Sequence, residues 1–428
     1  MRVLWITYNV FDPFYPLVKG KPASSSSWTT PLFYNMHKED NIQLGSLAPI
    51  YKGEYQKLVI DDITYYAIPK KRKDTENRLT KSLIAFYLKA ISDFNPDIIH
   101  VHGVEKNFGL LRKYIDPKIP IVCSIQGLVN PCIDSLKYSV ATLGLTNYRS
   151  LKNWLGRGGF KGALKNWQKF SFIEKEILEI NQYFIGRTLW DKSQLNSYNP
   201  KAIYFHGEEL LREPFYNTTW CAIDCNRHRI FISSAAYPLK GFHVLVRATN
   251  ILKKKYPKVQ IIAPMSVLNL NSSTLRNVLF AEDYSNYLNK EIRRLNLIDN
   301  IVLFTKLSAE EMANEYRKAH VFVLPSYMEN SSNALGEAMI VGTPSVVSPV
   351  GGVLSIVKNE ESALVFPAGD HTMLAYQIGR IFENDDLASM LSANAKSVAL
   401  KRHDVKQTTQ QYIDIYKEIV KLHSDNNN

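Results

Sequence analysis

Two glutamates, Glu329 and Glu337, lie eight residues apart in the stretch ENSSNALGEAMIVGTPSVVSPVGG, which begins at Glu329. The apolar run HVFVLPS before it is typical of a buried strand, and open α/β sheets bind ligands at the carboxyl ends of their strands. One of the serines that follow Glu329 can cap a helix over residues 333–341, and Gly342 can end it. Carboxylates accept hydrogen bonds from hydroxyl pairs, and a helix N-terminus suits a phosphate. The stretch therefore predicts a site for a diphosphate with a sugar on either side.

Two other interpretations of the glutamate pair have less support from the residues around it. Glutamates at this spacing are usually surface residues, and two carboxylates can also carry out acid–base hydrolysis. The preceding strand, the capped helix and the downstream pair Gly351 and Gly352 favour ligand binding, because paired glycines let the backbone approach a ligand closely.

The composition limits the class of protein. The 428 residues are 45% hydrophobic and 21% charged, which is typical of two or three soluble domains. We expect no signal peptide and no membrane span, and the four cysteines favour a reduced, cytoplasmic compartment over a disulfide framework. The net charge of +12 comes mostly from the first half of the chain, which indicates an anionic partner there.

The order of predicted elements indicates an α/β fold made of two halves. Short β-branched runs such as RVLWITYN, PDIIHVHG and PIVCSIQG alternate with helical stretches, and the pattern restarts after an irregular segment. We predict two Rossmann-like, doubly wound domains facing across a cleft, with a last helix that returns to the first domain. The expected parts are an N-terminal domain (1–216), a linker (217–228), a C-terminal domain (229–400) and a C-terminal helix with its tail (401–428).

The stretch LPSYMENSSNALGEAMIVGTPSVVSPVGGV resembles the donor-site signature of retaining GT-B glycosyltransferases, specifically glycosyltransferase family 4. FISSAAYPLKGFHVLVRA is similar to the family's first C-domain strand and its phosphate-binding Lys-Gly. IVLFTKLSAEEMANEYRKAHVFVLPS is similar to its base-binding segment, and PDIIHVHG to the N-domain strand that ends in the active-site histidine.

The resemblance implies a role for particular residues. Glu329 would hold the hexose hydroxyls, Glu337 the ribose hydroxyls and Lys240 the diphosphate, while His102 would face the donor sugar near its reacting carbon. His100 is expected to point away from His102, back into the sheet. The remaining donor-binding candidates are Gly20, Lys306, Leu307, Asn330, Ser331, Ser332, Asn333, Ala334, Gly351 and Gly352.

The chain departs from the family's pattern at two places. Ala235 stands where the family usually has a diphosphate-binding arginine, and Arg187 or Lys306 would have to replace that charge. The glycine-rich loop after the first strand is altered to VKGKPASSSSWTTP, in which Gly20 remains and small hydroxyl side chains at 24–27 would approach the phosphate.

No metal and no cofactor are expected, because no two aspartates form a D-x-D motif. The charge of the leaving group would then be stabilised by Lys240 and the helix N-terminus. The resemblance implies a UDP- or GDP-linked donor, and retention of configuration by front-face attack with the departing phosphate helping to deprotonate the acceptor. Cys221, Cys225 and His228 are interpreted as linker residues, because a single C-x3-C is a weak metal signal.

A basic segment with interleaved aromatic residues lies between residues 152 and 170. A lipid-surface helix would have this pattern, and so would a solvated helix whose aromatics enter the core of the first domain. The candidates for acceptor or membrane contact are Arg157, Lys161, Lys165, Trp167 and Lys169.

The sequence favours a metal-independent hexosyltransferase that extends a bacterial surface or capsular glycan on a glycan or lipid-diphosphate-linked acceptor. Such a protein is expected in the cytoplasm, with peripheral contact at the inner face of the membrane. Nucleic acid is not an expected partner, since no recognition motif accompanies the basic residues. The alternatives are a nucleotide-sugar epimerase or hydrolase of the same fold, and a non-catalytic membrane-associated scaffold with a degenerate donor site.

Overall fold

The computed structural model describes residues 1–8, 10–12, 14–19, 29–51, 53–71, 78–143, 160–264, 283–304 and 307–427. The contacts divide the chain into two compact units. The first unit comprises Met1–Val129, Lys169–Arg212 and Arg402–Asn428, and the second comprises Asn130–Gln168 and Glu213–Lys401.

Parallel strands form the centre of each unit. The strands of the first unit are β1 (Arg2–Ile6), β2 (Gln43–Ile50), β3 (Gln56–Ile60), β4 (Ile63–Pro69), β5 (Ile98–His102), β6 (Ile121–Ser124), β7 (Tyr183–Gly186) and β8 (Ile203–His206). Those of the second unit are β9 (Arg229–Phe231), β10 (Gln260–Pro264), β11 (Ile301–Phe304), β12 (Val321–Leu324), β13 (Ser345–Val347) and β14 (Leu364–Val365).

The helices alternate with these strands along the chain. Those before residue 220 are α1 (Phe14–Lys19), α2 (Thr29–His37), α3 (Lys81–Phe94), α4 (Val129–Thr142), α5 (Phe160–Ile180), α6 (Leu189–Tyr198) and α7 (Glu213–Tyr216). Those after it are α8 (Phe242–Leu252), α9 (Asp283–Arg294), α10 (Ala309–Lys318), α11 (Asn333–Val341), α12 (His371–Glu383), α13 (Asp385–Arg402) and α14 (Val405–Asn427).

The strand order identifies both sheets as doubly wound. The first sheet has the order β3-β4-β2-β1-β5-β6-β7-β8 and the second β11-β10-β9-β12-β13-β14. All pairs of neighbouring strands are parallel except β3 with β4. In both sheets the chain begins near the middle and builds outward to either side, which brings the carboxyl ends of the central strands together at a ligand-binding edge. The predicted α/β fold class is confirmed.

The last helix, α14, packs on the core of the first unit. Tyr412, Tyr416 and Ile419 belong to the same buried cluster as Trp5 of β1 and Phe33 of α2. These large apolar side chains are buried together on the same face of the first sheet, and their burial stabilises the packing of α14.

The segment 130–168 groups with the second unit and not with the first. It was expected to belong to a domain of residues 1–216, but its described residues cluster with the second unit. The contacts of α4 give the reason: the ring of Tyr138 lies 5.9 Å from the ring of Tyr327, and Thr142 hydrogen-bonds with Tyr327. Tyr327 belongs to the loop that follows β12, so α4 is held by the loop that also contains Glu329.

Candidate functional site

Glu329 lies in the loop after β12 and is 9% exposed. Its Oε1 accepts two hydrogen bonds, from Lys240 Nζ at 2.6 Å and from Ser326 Oγ at 2.6 Å. Because the two donors converge on one oxygen, the carboxylate is oriented before any ligand binds. Charge-assisted hydrogen bonds of this length are among the stronger ones in proteins. The structure therefore brings Lys240, Ser326 and Glu329 together.

Lys240 is placed by a tight turn that only glycine can follow. A 3-10 turn over Pro238–Lys240 ends at Gly241, which has φ +69°. A Cβ on Gly241 would lie 1.9 Å from the carbonyl oxygen of Pro325, in the strand-end loop that leads to Glu329. Burial alone would lower the pKa of Lys240, but the facing Glu329 carboxylate raises it above its ordinary value. The ammonium group therefore stays charged beside Glu329.

The helix that follows, α11, has the predicted caps. Ser332 accepts a hydrogen bond from Leu335 N, and Gly342 closes the helix with φ +89°. Glu337 is buried within the helix; the hydroxyl of Tyr316 donates to Ala334 O at 2.9 Å and lies 3.4 Å from Glu337 Oε2. The N-terminus of α11 presents its first backbone N–H groups, which favour an anion. Around it lie Asn330, Ser331, Ser332, Asn333 and Ala334, each buried or half-buried.

The paired glycines support the backbone of Glu329. Gly351 has φ +54°, and a Cβ there would lie 1.9 Å from the carbonyl oxygen of Glu329. The amide of Gly352 donates to that same oxygen at 3.0 Å. The amide of Gly352 thus holds the backbone of Glu329, and the donor-binding role of the two glycines stays a prediction. A close approach does require glycine here, but the group approached is Glu329 itself.

Tyr327 is a site residue that the sequence did not reveal. Its amide donates to Leu239 O at 2.8 Å, so it joins the loop of Glu329 to the turn of Lys240. Its hydroxyl lies 3.1 Å from Nε2 of the buried His243, and the two rings stack with centroids 5.6 Å apart. Nδ1 of His243 lies 2.9 Å from the hydroxyl of Tyr284. Burial lowers the pKa of His243 to about 3, so it is neutral and carries one N–H between two hydroxyl partners. An aromatic residue two positions before a signature glutamate is the only sequence signal for this role.

His102 lies at the carboxyl end of β5 in the first unit, 7% exposed. Its ring centroid is 4.0 Å from that of Trp5 and 3.8 Å from that of His100. The expectation that His100 points away from His102 is wrong, because side chains two residues apart in a strand share a face. His100 lies between the hydroxyls of Tyr416 and Ser124, both at 2.6 Å. Burial lowers the pKa of both histidines, that of His100 to about 3.

Arg187 is paired with groups of its own unit. It follows β7 in the first unit, where its Nη1 lies 2.5 Å from Glu209 Oε2 and its Nη2 donates to Gln126 O. Its charge is thus compensated inside the first unit. Ala235 is fully buried after β9.

The other residues predicted to contact the donor, the acceptor or a membrane lie in several parts of the chain. Leu307 is half-buried before α10. In α5, Lys165 and Lys169 are exposed and Trp167 is half-buried. Gly20, Arg157, Lys306 and the serines at 24–27 lie outside the described residues, as does the side chain of Lys161.

Over the ranges that the structure describes, no three His, Cys, Asp or Glu residues form a group that could hold a metal ion. None of the helices in those ranges has the length and apolar character to cross a membrane.

Comparisons with known proteins show which proteins this chain resembles. Residues 222–398 match the family model described as glycosyl transferases group 1. A D-inositol 3-phosphate glycosyltransferase of Saccharomonospora viridis is 30% identical over 183 residues, which cover 42% of this chain and 40% of that protein. The matched region thus spans less than half the length of this curated relative.

Solved structures superimpose on nearly the whole chain. Sucrose-phosphate synthase of Thermosynechococcus elongatus superimposes with a TM-score of 0.71 at 16% identity, covering 98% of each chain. HepE of Anabaena, solved in complex with UDP-glucose, superimposes with a TM-score of 0.63 at 15% identity, covering 98% of this chain and 100% of that one. The chain therefore has the GT-B fold of solved glycosyltransferases, and its residues 222–398 match the group 1 glycosyl transferases.

Proposed function

We propose that the protein is a retaining glycosyltransferase that moves a hexose from a UDP- or GDP-linked donor to a glycan or lipid-linked acceptor. The observation that carries the proposal is the convergence of Lys240 and Ser326 on Glu329, beside the N-terminus of α11. Carboxylates, an ammonium group and a helix N-terminus, positioned by the segments after β9 and β12, match the three parts of a nucleotide sugar: hexose hydroxyls, diphosphate and ribose.

In this proposal Glu329 accepts hydrogen bonds from the hexose hydroxyls. Its Oε1 already accepts from two groups, which leaves Oε2 to face the sugar. Glu337 accepts from the ribose, and the hydroxyl of Tyr316 lies beside its carboxylate. The relative solved with UDP-glucose supports a nucleotide-sugar donor.

Lys240 has a second proposed role in leaving-group stabilisation. Its raised pKa keeps it protonated, so it can neutralise the charge that develops on the diphosphate as the glycosidic bond breaks. The N-terminus of α11 acts in the same direction. Lys240 and the helix thus provide charge stabilisation without a metal ion, and we propose metal-independent transfer. His102 is the proposed contact of the donor sugar near its reacting carbon.

The acceptor is proposed to be a bacterial surface or capsular glycan carried on a lipid diphosphate. The support is the exposed Lys165 and Lys169 of α5 beside Trp167, since basic and aromatic side chains together suit a lipid surface. The similar D-inositol 3-phosphate glycosyltransferase also favours a polyhydroxyl acceptor.

A donor screen tests the proposal. The purified protein is incubated with UDP- and GDP-hexoses, with and without a lipid-linked acceptor mixture, and nucleotide release is measured. Acceptor-dependent release of one nucleotide is the expected result. Fast release or epimerisation without acceptor would indicate a hydrolase or an epimerase instead.

A non-catalytic scaffold is the second candidate, and the buried Ala235 favours it because the family's usual cation is absent at that position. Calorimetry with UDP and GDP separates it from the transferase. A transferase binds one of them, whereas a scaffold with a degenerate site binds neither.

A further inference from the structure

Glu105 lies three residues beyond His102, at the carboxyl edge of the first unit's sheet. Its carboxylate rests between the ends of two neighbouring strands. A Cβ on Gly103, after β5, would lie 2.5 Å from its Oε2, and a Cβ on Gly127, after β6, would lie 3.3 Å from its Oε1. Gly103 has φ +97°, a conformation that favours glycine. Both glycines therefore leave room for this one carboxylate.

The carboxylate is oriented by the backbone. It accepts hydrogen bonds from its own amide and from the amide of Gly127. Two N–H donors leave part of the acceptor capacity of a carboxylate unused, since the two oxygens together have about four lone-pair sites. The residue as a whole is half-buried, so Glu105 lies at the boundary between the core and the surface of the first unit.

We propose that Glu105 is a specificity-determining residue of the first unit, whose carboxylate accepts a hydrogen bond from a hydroxyl group of a hexose-type acceptor. This inference rests on the proposed transferase function and deepens it by naming a polyhydroxyl acceptor and one of its contacts. The carboxyl edge of the central strands is where a doubly wound sheet binds its ligand. An oriented carboxylate there suits a sugar hydroxyl, which is a donor.

The charges around Glu105 make its binding dependent on pH. Burial raises the pKa of Glu105 to about 7, the Glu174 carboxylate of α5 adds to the rise, and Lys106 and the two backbone N–H groups oppose it. Glu174 is itself fully buried and accepts a hydrogen bond from Val129 N. Because the charged carboxylate is the stronger acceptor, hydroxyl binding should weaken as the pH falls through about 7.

Saturation-transfer NMR with methyl hexosides tests the inference without knowledge of the natural acceptor. Methyl α- and β-glucosides, mannosides and galactosides are added at millimolar concentration to the full-length protein saturated with UDP or GDP. We expect transfer to at least one hexoside, weakened at least threefold by Glu105→Gln and unchanged by Glu179→Gln, an exposed control on α5. Transfer should decrease from pH 8 to pH 6 in the wild type and be independent of pH in Glu105→Gln.

Glu174→Gln provides a second variant with a distinct expectation. Removal of that charge should lower the pKa of Glu105 and move the midpoint of the pH dependence to lower pH. Absence of transfer to every hexoside, or equal transfer to the wild type and Glu105→Gln at pH 8, overturns the inference. Failure of the proposed function is recognised separately, by an absence of nucleotide binding and of nucleotide release.

Discussion

Lys240 Nζ and Glu329 Oε1 lie 2.6 Å apart, although the two residues are 89 positions apart in the chain. The contact joins the turn after β9 to the loop after β12, and these two strands are neighbours in the second sheet. A doubly wound sheet brings such loops together at its carboxyl edge. In the proposed complex the ion pair is kept, and the diphosphate of the donor adds further negative charge beside Lys240.

Glu329→Gln tests the role of this carboxylate. The amide keeps the shape of the side chain but loses the charge that holds Lys240 and the hexose, so we expect kcat to fall about 100-fold or more. Measurement of nucleotide release with saturating donor checks this. Glu360→Gln is the matched control, because that glutamate pairs with Arg380 on the surface. Equal activity in both variants would remove Glu329 from the site.

Ser326→Ala removes one of the two hydrogen bonds to Glu329 Oε1. The loss of one such bond is about 1 kcal/mol, which predicts a roughly fivefold lower kcat/KM for the donor with the fold retained. Ser326→Thr should restore most of the activity, since its hydroxyl can reach the same oxygen. Ser193→Ala, which loses only a local hydrogen bond to Trp190 O, should behave as the wild type. A Thr variant as impaired as the Ala variant would indicate a packing role instead.

Gly351→Ala should disrupt the loop of Glu329. Its Cβ would lie 1.9 Å from the carbonyl oxygen of Glu329, and φ +54° is unfavourable for alanine. We expect a loss of about 2 kcal/mol or more in the free energy of unfolding, together with loss of transfer. Gly379→Ala is the control: a Cβ there meets nothing within 4 Å, and alanine should stabilise α12 by about 0.5–1 kcal/mol. Denaturant titration of both variants measures the difference, and comparable stabilities would contradict the expectation.

Buried His100 should make the first unit sensitive to acid. Its pKa is lowered by burial from 6.5 to about 3, so between these values the unfolded chain binds a proton that the folded chain does not. Stability is therefore full above about pH 6.5 and is lost as the pH falls toward 3. His100→Gln should lose less stability than the wild type between pH 7.5 and 4.5, by about 2 kcal/mol. Thermal unfolding across this range checks it, with His371→Gln as the control; parallel pH profiles would count against the assignment.

Much of the fold could be predicted from local patterns. Six apolar runs of the second half are typical of strands, and all six form strands: IFISSAAY, VQIIAP, NIVLFTK, AHVFVLPS, PSVVSP and SALVFP. In the first half, LVIDDITYYAIP has the pattern of a hairpin or strand pair and forms an antiparallel pair. Asp61 and Asp62 at its turn have φ of 48° and 61°, which aspartate tolerates better than most residues. Runs of this kind are bounded by turn residues and have the length of buried strands, so the sequence determines them locally.

The rest depends on contacts between distant parts of the chain. Tyr138 and Tyr327 pack together across 189 positions, and no periodicity could reveal that α4 joins the second unit. Ser326 and Tyr327 look like ordinary loop residues until their partners Glu329 and His243 are known. The orientation of His100 is a local property, because the period of two along a strand already places it beside His102.

The basic face of α5 gives a prediction for membrane contact. Lys165 and Lys169 are exposed and four residues apart, so both lie on one side of the helix. Reversal of both charges, Lys165→Glu with Lys169→Glu, should reduce co-sedimentation with anionic liposomes about tenfold or more, since each lysine contributes about 1 kcal/mol near such a surface. Lys417→Glu with Lys421→Glu reverses two exposed charges of the same spacing on α14 and is the matched control. Binding of the wild type should also weaken as the salt concentration rises. Equal loss in both double variants would show that net charge, and not this face, attracts the protein to lipid.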